Sequence, residues 1–279
     1  MSGMDLTINS TKTLHNGVEM PRFGLGVYKM TDKEEAVSAM IAAIDAGYKA
    51  IDTATVYENE QEVGEAVRNS AVKREDLFIT SKVWNTDQGY DQTLRAFEAS
   101  LERLGFDYLD LYLTHWAVPG SYEETYRAIQ RLYDEKLVRS IGVSNHHQPH
   151  LERILSKANT KPMVNQIELH PQLTQEPLRE FCAQQEIAVT SWSPLARGRL
   201  LDDAVLAEIA AKHNKTIAQV IIRWHLQNDL IVIPKSVTPS RIVENADVYD
   251  FSLAAEEIKA INGLNQDWRT GTNPDDIKA

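Results

Sequence analysis

The constraint that bears hardest on this chain is an alternation. A short apolar run is followed by an amphipathic stretch of helical period, and the pair repeats eight times along the sequence. The strand-like runs are residues 23–26, 50–53, 78–82, 109–115, 140–144, 163–167, 188–192 and 230–234. Helical spacing covers residues 33–46, 61–70, 91–104, 122–136, 149–156, 176–185 and 203–213, and further helices are predicted over 217–227 and 254–264. Ahead of the first pair, Asn16-Gly17 between residues 11–14 and 18–20 reads as a hairpin turn. Eight strand-then-helix units predict an α/β chain folded as a (β/α)8 TIM barrel with an N-terminal β-hairpin and extra C-terminal helices. A doubly wound sheet is the competing arrangement. No linker, low-complexity block or composition break divides the chain, so residues 1–279 are expected to form one domain.

Charge and composition narrow the function classes. A net charge of -11 with a pI near 5.2 argues against nucleic acid and anionic membrane surfaces, both of which attract basic patches. Residues 1–10 (MSGMDLTINS) lack the basic start and apolar stretch of a secretory signal, and no apolar run approaches membrane-spanning length. The expectation is a soluble protein of the cytoplasm. The lone Cys182 cannot form an internal disulfide, which fits a reducing compartment, and with no basic partner near it in sequence it reads as a helix residue rather than a nucleophile.

Four chemically active side chains fall where strand runs give out. Asp52, Lys82 and His115 end three of the runs, and Tyr57 sits in the loop after Asp52. In a barrel of parallel strands such ends converge on one rim, the face that carries chemistry. Singly, these residues could be a helix cap, a solvated strand end, a core histidine and a loop aromatic. Together, an acid, an ammonium, an imidazole and a phenol can hand one proton to a carbonyl oxygen without any metal. Gly24-Leu25-Gly26 lacks the third glycine of a dinucleotide fingerprint, and reads as a backbone bend where small residues admit other groups closely. His146 and His150 have i,i+4 spacing, but Pro149 opens the helix and no third ligand stands nearby, so no metal is expected. His170 before Pro171 reads as a strand-end hydrogen-bonding residue.

Five segments in order carry a resemblance. They are Gly47-Tyr48-Lys49-Ala50-Ile51-Asp52-Thr53-Ala54 leading to Tyr57-Glu58-Asn59-Glu60, then Leu109-Asp110-Leu111-Tyr112-Leu113-Thr114-His115-Trp116, then Ile141-Gly142-Val143-Ser144-Asn145, Asn165-Gln166-Ile167-Glu168-Leu169-His170-Pro171, and Ile233-Pro234-Lys235-Ser236-Val237. Over nearly its whole length the chain resembles the aldo-keto reductases, nearest to the bacterial branch that reduces diketogluconate and small aldehydes such as methylglyoxal.

The resemblance implies reduction of an aldehyde or ketone by hydride from NADPH, with Tyr57 as proton donor. A free phenol has a pKa of about 10, so a cation is needed to make the phenolate accessible, and Lys82 is the candidate. Asp52 would hold that ammonium, and His115 would orient the substrate carbonyl. The hydride belongs to the nicotinamide. Ser144, Asn145 and Gln166 would hold the carboxamide, and Trp192 would stack on the ring, where many members of the family use Tyr. Ser193, Pro194, Leu195 and Gly198 would run under the pyrophosphate. Lys235, Ser236 and Val237 follow the last strand. Thr238-Pro239 reads as an N-cap and first helical residue with Arg241 just inside, so two cations, a hydroxyl and a helix N-terminus would suit the 2′-phosphate of NADPH over NADH. Glu244 and Asn245 would lie near the adenine.

Tyr28, Val56, Trp84 and Trp116 would wall the substrate pocket beside His115. Ala117 and His146 depart from the family's usual Pro and Phe and would reshape the pocket edge without removing a catalytic group. Residues 117–121 and the tail after Leu264 are short, which predicts an open pocket with broad specificity toward small polar carbonyls. A monomer is implied by the resemblance alone. Two other readings compete: an NADPH-binding sensor, and an aldolase with Lys82 as Schiff base, which the neighbouring Asp52 opposes by keeping the amine charged.

Overall fold

In the computed structural model, which describes residues 5–279, the strands fall on the apolar runs. Residues 1–4, part of the stretch read above for a leader, lie outside the described residues. The hairpin pairs β1 (Thr11–Thr13) with β2 (Glu19–Pro21), antiparallel. Its turn uses Gly17 at φ +87°, a left-handed conformation that costs a glycine little.

Eight parallel strands follow: β3 (Leu25–Gly26), β4 (Ala50–Asp52), β5 (Phe78–Val83), β6 (Leu109–Thr114), β7 (Val138–Ser144), β8 (Val164–Glu168), β9 (Ala188–Trp192) and β10 (Ile231–Val232). Each pairs with its neighbours in chain order. The edges then meet: Phe23 bridges Val232 in parallel, the Val232 amide donates to Arg22 O at 2.9 Å, and the Gly24 amide donates to Val232 O at 3.0 Å. The sheet is therefore a closed barrel, and the doubly wound alternative falls away.

Helices α1 (Lys33–Asp45), α2 (Glu60–Asn69), α3 (Tyr90–Leu104), α4 (Tyr122–Asp134), α5 (Gln148–Leu155) and α6 (Glu176–Gln184) each link one strand to the next. Two helices, α7 (Ala204–His213) and α8 (Ile217–Gln227), separate β9 from β10, and α9 (Pro239–Ala246) and α10 (Ala255–Asn262) complete the chain. Local chemistry sets their starts. Asp32 accepts from the Glu35 amide at 2.9 Å before α1, and Thr216 with Gln219 makes a reciprocal capping box before α8.

Close strand contact explains the glycines. A Cβ on Gly142 would lie 2.3 Å from Val164 O, and one on Gly26 would lie 2.8 Å from Ile233 O, so these sites admit no side chain. At the opposite end of the barrel Asp110, fully buried, accepts from the Ile79 amide at 2.9 Å, Arg74 at 2.8 Å and Arg139 at 2.9 Å. This network ties the starts of β5, β6 and β7 and leaves the other rim free for chemistry.

Candidate active site

The strand register carries the reactive groups to one rim. Asp52 ends β4, Lys82 lies near the end of β5, and His115 follows β6 directly. Tyr57 closes a short 3₁₀ turn, residues Thr55–Tyr57, after β4. Lys82 is completely buried, and its ammonium donates to Asp52 Oδ1 at 2.5 Å, to the Thr53 carbonyl at 2.9 Å and to the Tyr57 hydroxyl at 3.4 Å. The His115 ring meets Tyr57 edge-on with centroids 5.8 Å apart, and Trp84 edge-on at 5.1 Å. The four residues expected to work together are thus in contact around one point.

Their electrostatics follow from burial and pairing. Burial alone would lower the Lys82 pKa, but the Asp52 carboxylate and Tyr57 outweigh it and hold the amine above its usual range. A lysine so held is the reverse of a Schiff-base nucleophile, which removes the support for the aldolase reading. Burial pushes the Tyr57 phenol upward, and Lys82 opposes this without overcoming it. The net direction is therefore up, contrary to the lowering expected from the cation alone, because the Asp52 carboxylate that holds Lys82 adds to the effect of burial on the phenol. Burial, helped by Lys82, pulls His115 well below its usual value and keeps it neutral.

A cavity of about 910 Å³ opens over this cluster. Tyr28, Val56, Trp84 and Trp116 line it as expected, with Asp52, Tyr57 and His115 at its floor. Ser144, Asn145, Gln166, Trp192, Ser193, Leu195 and Lys235 line the same cavity, so most of the expected cofactor contacts are gathered there. They also contact one another. Ser144 Oγ donates to Gln166 O at 2.8 Å, Asn145 Nδ2 donates to His115 O at 3.0 Å, and Gln166 Nε2 donates to Asp52 Oδ2 at 2.7 Å. The Trp192 indole N–H donates to Asn145 Oδ1 at 2.8 Å.

Ser236, Val237, Arg241, Glu244 and Asn245 lie beyond the cavity wall, on the segment leading into and along α9. Pro239 opens α9 as expected, but the Thr238 side chain makes no cap bond; the Ser236 hydroxyl accepts from the Thr238 amide instead, at 3.1 Å. Glu244 turns toward α8, where it accepts from Thr216 Oγ1 at 3.1 Å. Lys235 and Arg241 are exposed, and among the described residues neither is joined to a carboxylate. Asn245 is largely buried, but the polar atoms of its amide are not sealed from solvent, and among the described residues they make no hydrogen bond within the protein. Two cations without a carboxylate partner among the described residues, set at a helix N-terminus, fit a phosphorylated nucleotide.

Several residues of the cavity wall escape sequence reasoning. Lys29, Arg197 and residues 270–272 also line the cavity. The tail after Leu264, read above as too short to cover the pocket, forms part of its wall because a buried carboxylate holds it there. Glu168 accepts from the Thr270 amide at 2.5 Å, Thr270 Oγ1 at 2.6 Å and the Gly271 amide at 3.1 Å. The signal that was present is Glu168 itself, a charged residue ending a run that is otherwise buried.

His170 and His146 each make one local hydrogen bond, and their other ring nitrogens are buried without a partner among the described residues. His170 Nε2 donates to Glu168 Oε1 at 3.1 Å, the strand-end bond expected of it. His146 donates from Nδ1 to Ser144 O at 2.7 Å, and burial pulls its pKa down to about 3. Cys182 is buried in α6, where burial pushes its thiol up to about 11.

The sequence model of the Aldo/keto reductase family matches residues 22–266. The glyoxal reductase of Bacillus subtilis (strain 168) is 54% identical over 274 residues, which is 98% of this chain and 99% of that protein. Among solved structures, an aldo-keto reductase enzyme from a Medee basin deep-sea metagenome library superposes with a TM-score of 0.94 at 44% identity, covering 96% of this chain and 99% of that one. A Bombyx mori aldo-keto reductase in complex with NADP gives a TM-score of 0.89 at 37% identity, with 97% of each chain covered.

Proposed function

The chain belongs to the aldo/keto reductase family and is an NADP-dependent carbonyl reductase; on that premise we propose that its substrates are small polar aldehydes and ketones, of the kind named by its glyoxal reductase relative, and that Tyr57 gives them their proton. One observation carries the reading: the Lys82 ammonium sits between Asp52 and Tyr57 beside a neutral His115, on the floor of a cavity wide enough for both cofactor and substrate.

Ser144, Asn145 and Gln166 would hold the carboxamide of the cofactor, Trp192 would lie against its ring, and Ser193 and Leu195 would hold the pyrophosphate. Lys235, Ser236, Val237 and Arg241 would take the 2′-phosphate, with Asn245 near the adenine. Glu244, which accepts from Thr216, would have to leave it to reach that base. When bound, the nicotinamide supplies the hydride. The protein supplies everything else. His115, uncharged, donates a hydrogen bond to the carbonyl oxygen and fixes its direction. Tyr57 delivers the phenolic proton to that oxygen as negative charge builds there, and the nearby ammonium stabilises the phenolate left behind. Asp52 keeps Lys82 charged and in place. Tyr28, Val56, Trp84 and Trp116 exclude water from the reacting atoms.

Residues 1–279 work as one barrel domain, as a monomer and in the cytoplasm. Among the described residues no helix is long and apolar enough to cross a membrane, and the charge of -11 supports neither nucleic acid nor an anionic membrane as partner.

The test is cofactor oxidation with a panel of methylglyoxal, glyceraldehyde, a nitrobenzaldehyde and a diketo sugar acid, with NADPH and then NADH. Turnover with NADPH in preference to NADH is expected. Removing the hydroxyl in Tyr57→Phe lowers kcat by roughly 10²–10⁴-fold while the affinity for NADPH stays within about threefold. A Tyr57→Phe enzyme that reduces aldehydes at the parent rate would remove Tyr57 from its role.

A further inference from the structure

Glu168 and Trp192 end neighbouring strands and stand opposite each other in the register of β8 and β9. Both are engaged by the C-terminal tail. The Glu168 carboxylate has no measurable exposure, and among the described residues its one partner in the ion-pair geometry is His170, so its charge is met chiefly by hydrogen bonds. Three of those come from the tail, from the Thr270 amide, the Thr270 hydroxyl and the Gly271 amide, at 2.5, 2.6 and 3.1 Å. Burial pushes the carboxyl upward, but the donors outweigh it and leave it below its usual range, an ionised anchor.

The tail in turn bears on Trp192. A Cβ on Gly271 would lie 2.5 Å from the indole Cη2 and 3.4 Å from Glu168 Oε2, so only glycine fits between the two side chains. On its other side the indole N–H is fixed by Asn145 Oδ1, and Asn145 reaches His115 O through Nδ2. The tail is fastened a second time upstream, where the Trp268 amide donates to Gln172 O at 3.1 Å and the Arg199 guanidinium lies 3.8 Å over the Trp268 ring. Arg199 belongs to the loop that follows Trp192.

We propose that Glu168 and residues 270–272 form a clamp that presses Trp192 against Asn145 and so sets both the platform for the nicotinamide and one wall of the carbonyl pocket. This rests on the assignment of Trp192 to the cofactor made above. Glu168 is a positioning residue, acting through the tail, and Gly271 is the contact that transmits its effect. The pocket is consequently bounded on the tail side rather than open, and its width is set by a bond pattern 102 residues apart in sequence.

Two substitutions in the full-length protein test the clamp. In Glu168→Gln the amide nitrogen becomes a donor facing other donors. Backbone hydrogen exchange over residues 265–279 should quicken by about tenfold or more, and the KM for the carbonyl substrate should rise about tenfold with kcat within about threefold. In Gly271→Ala the new methyl displaces the indole. The Trp192 share of the emission, identified with Trp192→Phe, should shift, and NADPH affinity should weaken by about fivefold or more. Thr270→Val, which loses the hydroxyl alone, gives a smaller effect in the same direction should Glu168→Gln not fold. Parent-like exchange in both Glu168→Gln and Thr270→Val would overturn the anchoring. Quickened exchange with unchanged KM and NADPH affinity would overturn the positioning and leave the tail a purely structural contact. A parent protein that does not bind NADPH would sink the function proposed above, while the exchange and emission readouts still judge the clamp.

Discussion

Tyr57 and His115 together determine how the reaction responds to pH. A proton donor must be protonated when substrate arrives, and burial raises the phenol above a normal value of about 10 even though Lys82 pulls the other way. His115 is held neutral far below its normal range, so it does not change charge through mild acid. With Tyr57 protonated below its raised pKa, kcat for carbonyl reduction should be flat from about pH 6 to about pH 9 and fall only above that. Alcohol oxidation needs the phenolate and should show the opposite sign, rising about tenfold per pH unit until Tyr57 has titrated. A reduction rate that halves between pH 7 and pH 8 in a kcat profile would mean the phenol is acidified by Lys82 after all. The direction of this shift was not legible in the sequence. Spacing brought Asp52, Tyr57, Lys82 and His115 to one rim, but whether the cation wins at Tyr57 depends on how far the fold buries the phenol and on the Asp52 carboxylate beside it.

At the scale of elements, α9 is the clearest functional unit, since its N-terminus joins two cations with no carboxylate partner among the described residues. Arg241→Ala should raise the KM for NADPH by roughly tenfold, the loss of one charge-assisted contact, and leave the KM for NADH within about twofold. Equal losses for both cofactors in steady-state assays would detach Arg241 from the 2′-phosphate. The start of this helix was readable because Pro239 fixes its first residue. Helix α8 and strand β9 also fall where the periodicity puts them, residues 217–227 and 188–192, because each buries a continuous apolar face. Strand β10 is shorter than its apolar run suggests, with only Ile231 and Val232 in the ladder, since Pro234 has no N–H to give. Strand β7 starts earlier than expected, at Val138, because Leu109 pairs with it across the ladder. The tail was illegible for a different reason: its placement depends on Glu168, a partner too distant in sequence for local pattern to reveal.

For the whole molecule, the closed barrel buries uncharged histidines, and this makes its stability sensitive to acid. His115 and His146 are both stripped of charge by burial, His146 to about 3, and burial outweighs the two carbonyls facing the His225 ring to bring it to about 4. In the unfolded chain each returns to a pKa of about 6.5 and binds a proton that the native state refuses. A folded pKa below the unfolded one gives stability that is complete above about pH 6.5 and is lost as pH falls toward the folded value. Each such proton steepens the loss by about 1.4 kcal/mol per pH unit, so three give about 4 kcal/mol per unit near pH 5. Against a total stability of about 5–15 kcal/mol, the barrel should unfold in acid near pH 4. His146→Phe removes one such proton and should take about 1 kcal/mol per pH unit off the slope of unfolding free energy between pH 6 and pH 5, measured by denaturant titration at each pH. An unchanged slope in that variant would show that His146 keeps its charge in the fold, and the hydrogen bond from its Nδ1 to Ser144 O would then belong to an imidazolium.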